Sequence, residues 1–171
     1  VLDYEYIDAS RRNLGIKGIV KLFEDFVPDD LIKQLDISHN IHIDEITPKQ
    51  LNYFFKMFKR HLSKNKTLTA LDCRSNYLFN SFPHPNNEFI KNYVEELADT
   101  LSYTKLKHLD ISDNNIVGNS SRELKGLLVL CKKFVLNAHG FSCRQSNLNS
   151  SCIKVICHGL GIHSTLTYLD L

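Results

Sequence analysis

The sequence lacks a long apolar run and a large net charge, and each absence excludes a class of protein. No apolar segment approaches the roughly 18 residues that a membrane-spanning helix needs. A formal net charge of +2 gives no general reason to expect a nucleic acid or a membrane as partner. The chain has 171 residues, 43% of them hydrophobic and 23% charged, which is typical of a globular protein and not of a disordered one.

The cysteines also lack the pattern of a disulfide framework. Their number is odd and their spacing is wide: Cys73, Cys131, Cys143, Cys152 and Cys157. We therefore expect free thiols in a reducing compartment, the cytoplasm. The short paired spacings of zinc ligands are missing as well, so we expect neither a metal nor another cofactor.

Catalytic motifs are not found either. The sequence contains no Walker loop, no G-x-S-x-G, no H-E-x-x-H and no glycine-rich nucleotide loop. Cys157 and His158 are adjacent, so on a helix their side chains would point about 100° apart. The acidic pairs at Glu95–Glu96 and Asp29–Asp30 fit solvated charges near helix ends. We expect the protein not to be an enzyme and to have no small-molecule substrate.

What the sequence does contain is an internal repeat of eleven positions. Positions 1, 4 and 6 are apolar and position 9 is Asn; position 11 is apolar too, except for His42 in the first clear copy. The clear copies are IKQLDISHNIH (32–42), LTALDCRSNYL (68–78), LKHLDISDNNI (106–116) and the incomplete LTYLDL (166–171). Two weaker copies fit the frame, at Tyr4, Ile7, Ala9, Arg12, Leu14 and at Cys131, Phe134, Leu136, His139, Phe141. This frame separates successive fourth positions by 28, 36, 38, 25 and 35 residues.

The repeat predicts a short strand followed by a turn. Apolar residues at positions 4 and 6 alternate with polar residues at positions 3, 5 and 7, so one face of the strand is buried. The ninth-position residues Asn40, Asn76 and Asn114 lie where the chain turns out of the strand. An Asn side chain donates and accepts, so we expect these three to satisfy backbone groups in the turns. Arg12 and His139 take this position in the weak copies, where we expect the Asn series to be broken.

Between the strands the apolar period becomes helical. The two strongest stripes lie at 51–62 and 89–101, and weaker ones lie at 16–26, 124–130 and 153–160. Thr47-Pro48 and Asn87-Glu88 are typical helix starts. The segment 80–87 is predicted to be a loop insertion. The helix that begins near Thr47 is unusually rich in aromatic residues, and we expect its phenylalanines to lie in the core. The alternative is that some of its apolar side chains are exposed and form a partner site.

These repeats resemble the leucine-rich repeat, and the resemblance covers nearly the whole chain. Units of this length with full helices resemble the ribonuclease-inhibitor-like subclass. The resemblance implies an α/β leucine-rich-repeat solenoid, with parallel strands on the concave face and helices on the convex face. We expect one domain, residues 1–171, of about six strand–helix units. Because a solenoid needs a cap at each end, we also expect the chain to continue past Leu171.

Leucine-rich-repeat proteins act mostly as binding platforms, so the resemblance implies recognition of a partner protein through the concave surface. The fifth positions form a column of aspartates that would attract Lys or Arg side chains of a partner. The alternative is that Asp is simply common at this position of the leucine-rich repeat. The residues predicted to bind the partner share positions 3, 5, 7 and 8 of the clear copies. They are Gln34, Asp36, His39, Asp72, Arg74, His108 and Asp110.

Two finer hypotheses follow from other resemblances. Uneven repeats and Lys/Asn-rich helices resemble the repeat effectors of intracellular bacteria, which would place the protein in the host cytosol. Ran GTPase-activating proteins share the ribonuclease-inhibitor-like subclass, so regulation of a small GTPase is the alternative function. No residue of this sequence matches theirs closely enough to be assigned a role.

Overall fold

The computed structural model describes residues 5–26, 31–79, 93–116, 121–161 and 165–171. In these residues, three-residue strands alternate with helices. The strands are β1 (Tyr6–Asp8), β2 (Gln34–Asp36), β3 (Ala70–Asp72), β4 (His108–Asp110), β5 (Gly140–Ser142) and β6 (Tyr168–Asp170). The α-helices are α1 (Gly15–Phe26), α2 (Pro48–Leu62), α3 (Tyr93–Leu101), α4 (Ser121–Lys133) and α5 (Ser150–Leu160). Short 3-10 turns cover Ile43–Glu45 and Val135–Asn137.

The strands form one parallel sheet in chain order, and each strand repeats the register of the one before it. Leu35 pairs with Leu71, and Leu71 pairs with Leu109, so equal repeat positions lie side by side across the sheet. Backbone hydrogen bonds continue beyond each strand. For example, the N–H of His39 donates to the carbonyl of Arg74. This parallel stack of strand–helix units confirms the predicted solenoid.

The fifth unit differs from the sequence prediction, which was wrong in its frame. Phe141, and not Phe134, pairs with Leu109 and with Leu169. Cys131 lies inside α4, and Phe134 follows that helix. Lys133, Val135 and Asn137, which the incorrect frame would put on the concave face, precede the strand. The correct copy is Ala138, Phe141, Cys143, Ser146 and Leu148. Successive fourth positions are then 28, 36, 38, 32 and 28 residues apart.

Helix α2 shows why the predicted helices form where they do. The Thr47 hydroxyl accepts from the N–H of Gln50 at 3.3 Å, and the Thr47 N–H donates to Gln50 Oε1 at 2.9 Å. This capping box, with Pro48 in the first turn, satisfies backbone donors that a helix start leaves unpaired. Helices α1, α4 and α5 contain the other stripes, and α3 contains the described part of 89–101. The predicted helix start at Asn87 and the predicted loop insertion 80–87 lie outside the described residues.

The aromatic residues of α2 lie in the core between the sheet and the neighbouring helices. Phe54, Phe55 and Phe58 are each 1% exposed, and Met57 is also buried. Phe23 of α1 contacts the rings of Phe54 and Phe58. On the other side, Phe55 stacks on Tyr93 of α3 with ring centroids 5.1 Å apart. These rings therefore join three successive units, which confirms that they belong to the core. Tyr53 is the exception, at 45% exposed.

The three ninth-position asparagines form a buried ladder. Asn76 Oδ1 accepts from the backbone N–H of Asn40 and of Ile41, which belong to the preceding unit. Asn114 Oδ1 accepts in the same way from Asn76 and Leu78. The ladder ends in the fifth unit, where the Ser146 hydroxyl donates to backbone carbonyls instead. The break was predicted, but at His139, because the fifth copy was framed incorrectly.

The turns between strand and helix share one backbone conformation. The eighth residue of each of the first five units has φ between 52° and 56°, in the left-handed region. None of these residues is glycine: Arg11, His39, Ser75, Asp113 and Gln145. Left-handed φ costs roughly 1–2 kcal/mol for an ordinary L-residue, so the tertiary stack must stabilise these turns. They also place the eighth side chain at the rim of the concave face.

Candidate binding surface on the concave face

The concave surface consists of the side chains at positions 3, 5 and 7, which point away from the helices. Position 3 carries Tyr6, Gln34, Ala70, His108, Gly140 and Tyr168. Position 5 carries Asp8, Asp36, Asp72, Asp110, Ser142 and Asp170. Position 7 carries Ser10, Ser38, Arg74, Ser112 and Arg144. Because neighbouring strands lie about 4.8 Å apart, each row is a closely spaced line of side chains across the sheet.

The aspartates of position 5 have a structural role in every complete unit that carries one. Asp36 Oδ1 accepts from the N–H of Ser38 at 2.8 Å, and Asp110 Oδ1 accepts from Ser112 at 2.8 Å. Asp8 and Asp72 accept from the residue two positions on in the same way. Each carboxylate thus closes an Asx turn at the end of its strand. The aspartates therefore stabilise the turns of the repeat and also give the surface its charge.

Arginines neutralise part of this acidic column. The Arg74 guanidinium lies 2.6 Å from Asp72 Oδ2 and 3.5 Å from Asp110 Oδ2. Arg144 lies 3.8 Å from Asp170. Among the described residues, no Lys or Arg forms an ion pair with Asp36. The uncompensated negative charge is therefore greatest at the β1–β2 end of the surface.

The centre of the third-position row is open. Ala70 is small, and the neighbouring row members Gln34 and His108 stand on either side of it. The His108 ring lies over Gly140, because a Cβ atom at position 140 would be 2.6 Å from His108 Nδ1. The His139 ring packs against it nearly at a right angle, with centroids 6.0 Å apart. The absent side chain of Gly140 thus sets the position of His108.

Tyrosines close the row at both ends. Tyr6 is 55% exposed and Tyr168 is 57% exposed. Partial burial, and then the charges of Asp8, Asp36 and Asp72, raise the pKa of Tyr6. The Tyr168 hydroxyl donates to Asp170, whose charge raises the pKa of Tyr168. Both phenols therefore remain protonated at neutral pH and can donate hydrogen bonds.

The rows at positions 3 and 5 enclose a shallow cavity of about 300 Å³ that extends across all six strands. Its floor is formed by the buried fourth-position residues of β2 to β5, and its walls are residues of positions 3 and 5. Burial is the main cause that raises the pKa of Asp110 in this wall. A surface of this size, with aromatic ends and carboxylates between them, suits an extended polar ligand.

Six of the seven predicted binding residues lie together on this surface. Gln34, Asp36, Asp72, His108 and Asp110 line the cavity, and Arg74 bridges two of its carboxylates. The seventh, His39, lies at the rim, where its left-handed turn exposes the side chain. Whether these residues bind a partner stays a prediction.

The sequence reasoning missed the surface residues of the fifth unit, which are Gly140, Ser142 and Arg144. The signal was present: Ala138, Phe141, Cys143 and Leu148 follow the apolar spacing of the clear copies, with Ser146 in place of Asn. Ser142 interrupts the aspartate column, and its hydroxyl lies 2.8 Å from that of Ser112. The aspartate column is therefore interrupted between Asp110 and Asp170.

The cysteines do not contribute to this surface. All five are free thiols, and only Cys157 is exposed. Burial raises the pKa of Cys131 and of Cys143 to about 12 and that of Cys73 well above its ordinary value, so these thiols behave as small hydrophobic side chains.

In the described part of the chain, no three His, Cys, Asp or Glu residues are placed to hold a metal ion. Nor does any helix there have the length and apolar character needed to cross a membrane.

Comparisons with known proteins give a structural likeness without a sequence likeness. No protein-family model matches the chain. No curated protein matches it in sequence. Among solved structures, the tropomodulin C-terminal domain of Caenorhabditis elegans superposes with a TM-score of 0.60 at 11% sequence identity, covering 92% of this chain and 83% of that one. The fold is a leucine-rich-repeat solenoid. At this identity the likeness concerns the fold alone.

Proposed function

We propose that this protein is a non-enzymatic interaction module that binds a partner protein through its concave surface. The observation that carries the proposal is the convergence of six predicted residues around one cavity that extends across the whole sheet. Solenoids present broad, rigid surfaces of this kind, whose side chains come from successive units. Binding then needs little rearrangement, because the stack holds the side chains in place.

The charge of the surface specifies the chemistry of the partner. Five aspartates face two arginines on positions 5 and 7, so the surface has an excess of negative charge. A partner segment with Lys or Arg would complement it, with the strongest attraction near Asp36, which has no ion pair among the described residues. Tyr6 and Tyr168 offer aromatic faces for the same cations.

The bonds that the aspartates already form support binding over catalysis. Each aspartate of the first four units holds a backbone N–H through Oδ1, and Arg74 occupies Oδ2 of Asp72 and of Asp110. A general base needs a carboxylate that is free to take a proton from a substrate. In these four units, the Oδ2 atoms of Asp8 and Asp36 are the ones left for contact with a ligand. A Lys or Arg of a partner would form a salt bridge with them.

The proposal includes a repeat subclass, a compartment and two kinds of partner. Full helices of 9 to 15 residues in five units support the ribonuclease-inhibitor-like subclass. The buried free thiols support the cytoplasm as the compartment. An effector acting on host proteins and a regulator of a small GTPase stay predictions from the sequence. Binding that depends on the GTP form of a GTPase would favour the regulator, and binding that ignores the nucleotide would favour a platform.

The test is a pull-down from cell lysate with the wild-type chain and with Asp36→Asn/Asp72→Asn/Asp110→Asn. Asn keeps the Oδ1 acceptor of each Asx turn and removes only the charge, so the fold should persist. The control Glu24→Gln/Asp25→Asn/Asp44→Asn changes the net charge equally on other faces. Circular dichroism checks that both variants fold.

The proposal expects a partner that the wild type and the control capture and the concave variant loses. The recovered partner should then bind the purified wild type more weakly as salt increases. Equal capture by all three proteins would show that the aspartates serve the turns alone, and would overturn recognition through this charge.

A further inference from the structure

A second charged surface, of opposite sign, lies on the convex side along α2. Its residues are the exposed cations of the helix and one that directly follows it: Lys49, Lys56, Lys59, Arg60 and Lys64. We call these five residues the basic stripe. Residues 48–64 contain no Asp or Glu. Their opposite face carries the phenylalanines of the core, so the cations are held outward by the packing.

Neighbouring helices balance their charges, whereas α2 does not. On α1, Lys21 pairs with Asp25 at 2.7 Å. The acids of α3 pair with α4, since Glu95 lies 3.8 Å from Lys125 and Asp99 also binds a lysine of that helix. Among the described residues, no acidic side chain forms an ion pair with the basic stripe. In the described part of the chain, α2 therefore carries more unpaired positive charge than either neighbouring helix, α1 or α3.

The field of the stripe acts on its own neighbours. His61 follows Arg60 and has a ring nitrogen, Nε2, without a hydrogen-bond partner in the described structure. Burial, and then the charges of Arg60 and Lys64, lower the pKa of His61, against the opposing effect of Glu24. His61 therefore stays neutral at physiological pH and does not lengthen the stripe.

The spacing of the stripe indicates the shape of a ligand. Lys49, Tyr53, Lys56 and Arg60 follow one another at intervals of four, three and four residues, so they lie along one line of the helix for roughly 16 Å. The half-exposed ring of Tyr53 lies on this line and provides an apolar contact between cations. A second helix packed alongside α2 presents its own side chains at the same intervals.

We propose that the basic stripe is a docking site for an acidic helical segment of a partner protein. The width of the stripe favours this ligand over a membrane or a nucleic-acid duplex. The stripe is one helix wide, and the exposed Glu24 of α1 lies close enough to act on His61 of α2, so an extended anionic surface would meet repulsion there. Single-stranded nucleic acid binds grooves with several aromatic platforms, and α2 offers a convex face with Tyr53 alone.

The probe is a fluorescein-labelled synthetic peptide of 18 residues built from Glu, Ala and two Leu, with Glu at alternating three- and four-residue intervals. Fluorescence anisotropy measures its binding to the full chain at low salt. A peptide with Gln in place of Glu tests the need for charge. Oligouridylate and vesicles of phosphatidylserine and phosphatidylcholine test the other anions.

Two charge-reversal variants locate the site. Lys56→Glu/Arg60→Glu changes the stripe, and Lys132→Glu/Lys154→Glu changes exposed cations of α4 and α5 by the same net charge. We expect the first variant to weaken peptide binding about tenfold and the second to change it less than about twofold. Tyr53→Ser should weaken binding without changing its salt dependence. All of these side chains are exposed, and circular dichroism confirms folding.

The proposal is overturned if the Glu peptide does not bind, if the Gln peptide binds equally, or if both reversal variants lose affinity equally. Tighter, stripe-dependent binding of oligouridylate or of anionic vesicles would also overturn it and would assign the stripe to that ligand. The test does not depend on the concave surface. Asp36→Asn/Asp72→Asn/Asp110→Asn should leave peptide binding intact.

Discussion

Replacing Asn76 by Ala should remove a large part of the stability of the solenoid. Asn76 is fully buried and its side chain forms five hydrogen bonds. Oδ1 accepts from the N–H groups of Asn40 and Ile41 at 2.9 and 3.0 Å. Nδ2 donates to the carbonyls of Ile37, Cys73 and Arg74, at 2.9 to 3.1 Å.

The loss of stability depends on how many buried backbone groups are left without a hydrogen-bond partner in Asn76→Ala. The Ile37 carbonyl still accepts from Asn40 Nδ2, and that of Cys73 still accepts from Asn114 Nδ2. The Arg74 carbonyl keeps the backbone bond from His39. Only the two backbone donors are left buried and unpaired. An unpaired buried group costs about 1–3 kcal/mol, so we expect a loss of about 4 kcal/mol.

Asn40 and Asn114 provide an internal scale. Asn114→Ala also leaves two buried donors and should cost about the same. Asn40→Ala leaves the N–H groups of Arg12 and Leu14, which lie nearer the surface, where water can replace the lost acceptor. It also removes the side-chain donor of the buried Ala9 carbonyl. We expect about half the loss there, about 2 kcal/mol.

Urea unfolding followed by circular dichroism measures these differences. Coincident transitions by tyrosine fluorescence are needed to show that unfolding is two-state, because repeat stacks can lose cooperativity. A loss below about 1 kcal/mol for Asn76→Ala, or an equal loss for Asn40→Ala, would refute the reasoning from unpaired donors.

Three further predictions concern the concave surface and the thiols. Burial raises the pKa of Asp110, so the charged carboxylate lowers the stability of the native state. Asp110→Asn should therefore stabilise the protein at pH 7, and the gain should vanish as the pH falls below about 4. Urea unfolding midpoints at both pH values check this. Gly140→Ala should displace the His108 ring, and because that ring is exposed the loss of stability should be less than about 1 kcal/mol. Unchanged NMR resonances of His108 would contradict the displacement. Native protein should show one fast thiol toward Ellman's reagent, lost in Cys157→Ser, and rapid labelling of the buried thiols would oppose our account of them as core residues.

The repeat frame could be read from the sequence because it combines two simple physical requirements. A buried face gives strands a period of two, and each turn needs a side chain that both donates and accepts, as Asn40, Asn76 and Asn114 do. These residues predicted the sheet, its register and the concave position of Asp36, Asp72 and Asp110. The helix starting at Thr47 was equally readable, since capping is local.

The fifth unit shows where such reasoning fails. Cys131 and Phe134 are three residues apart, which matches both the first and fourth repeat positions and one face of a helix. In the frame that includes Phe141, Ser146 replaces the Asn that would have settled the choice. Only pairing with Leu109 and Leu169 decides between the two frames, and that pairing is a contact between distant parts of the chain.

The sequence by itself therefore determined the repeat, its strands and helices, and the composition of the acidic column. The tertiary structure decided the roles of those residues. The Asp110 carboxylate became part of an Asx turn and an ion pair with Arg74, and the His108 ring came to lie over Gly140. Stacking also left the cations of α2 without acidic partners among the described residues, while Lys125 and Lys133 of α4 met acids of α3. Local patterns specify which residues face outward, but only the packing of successive units specifies what they meet there.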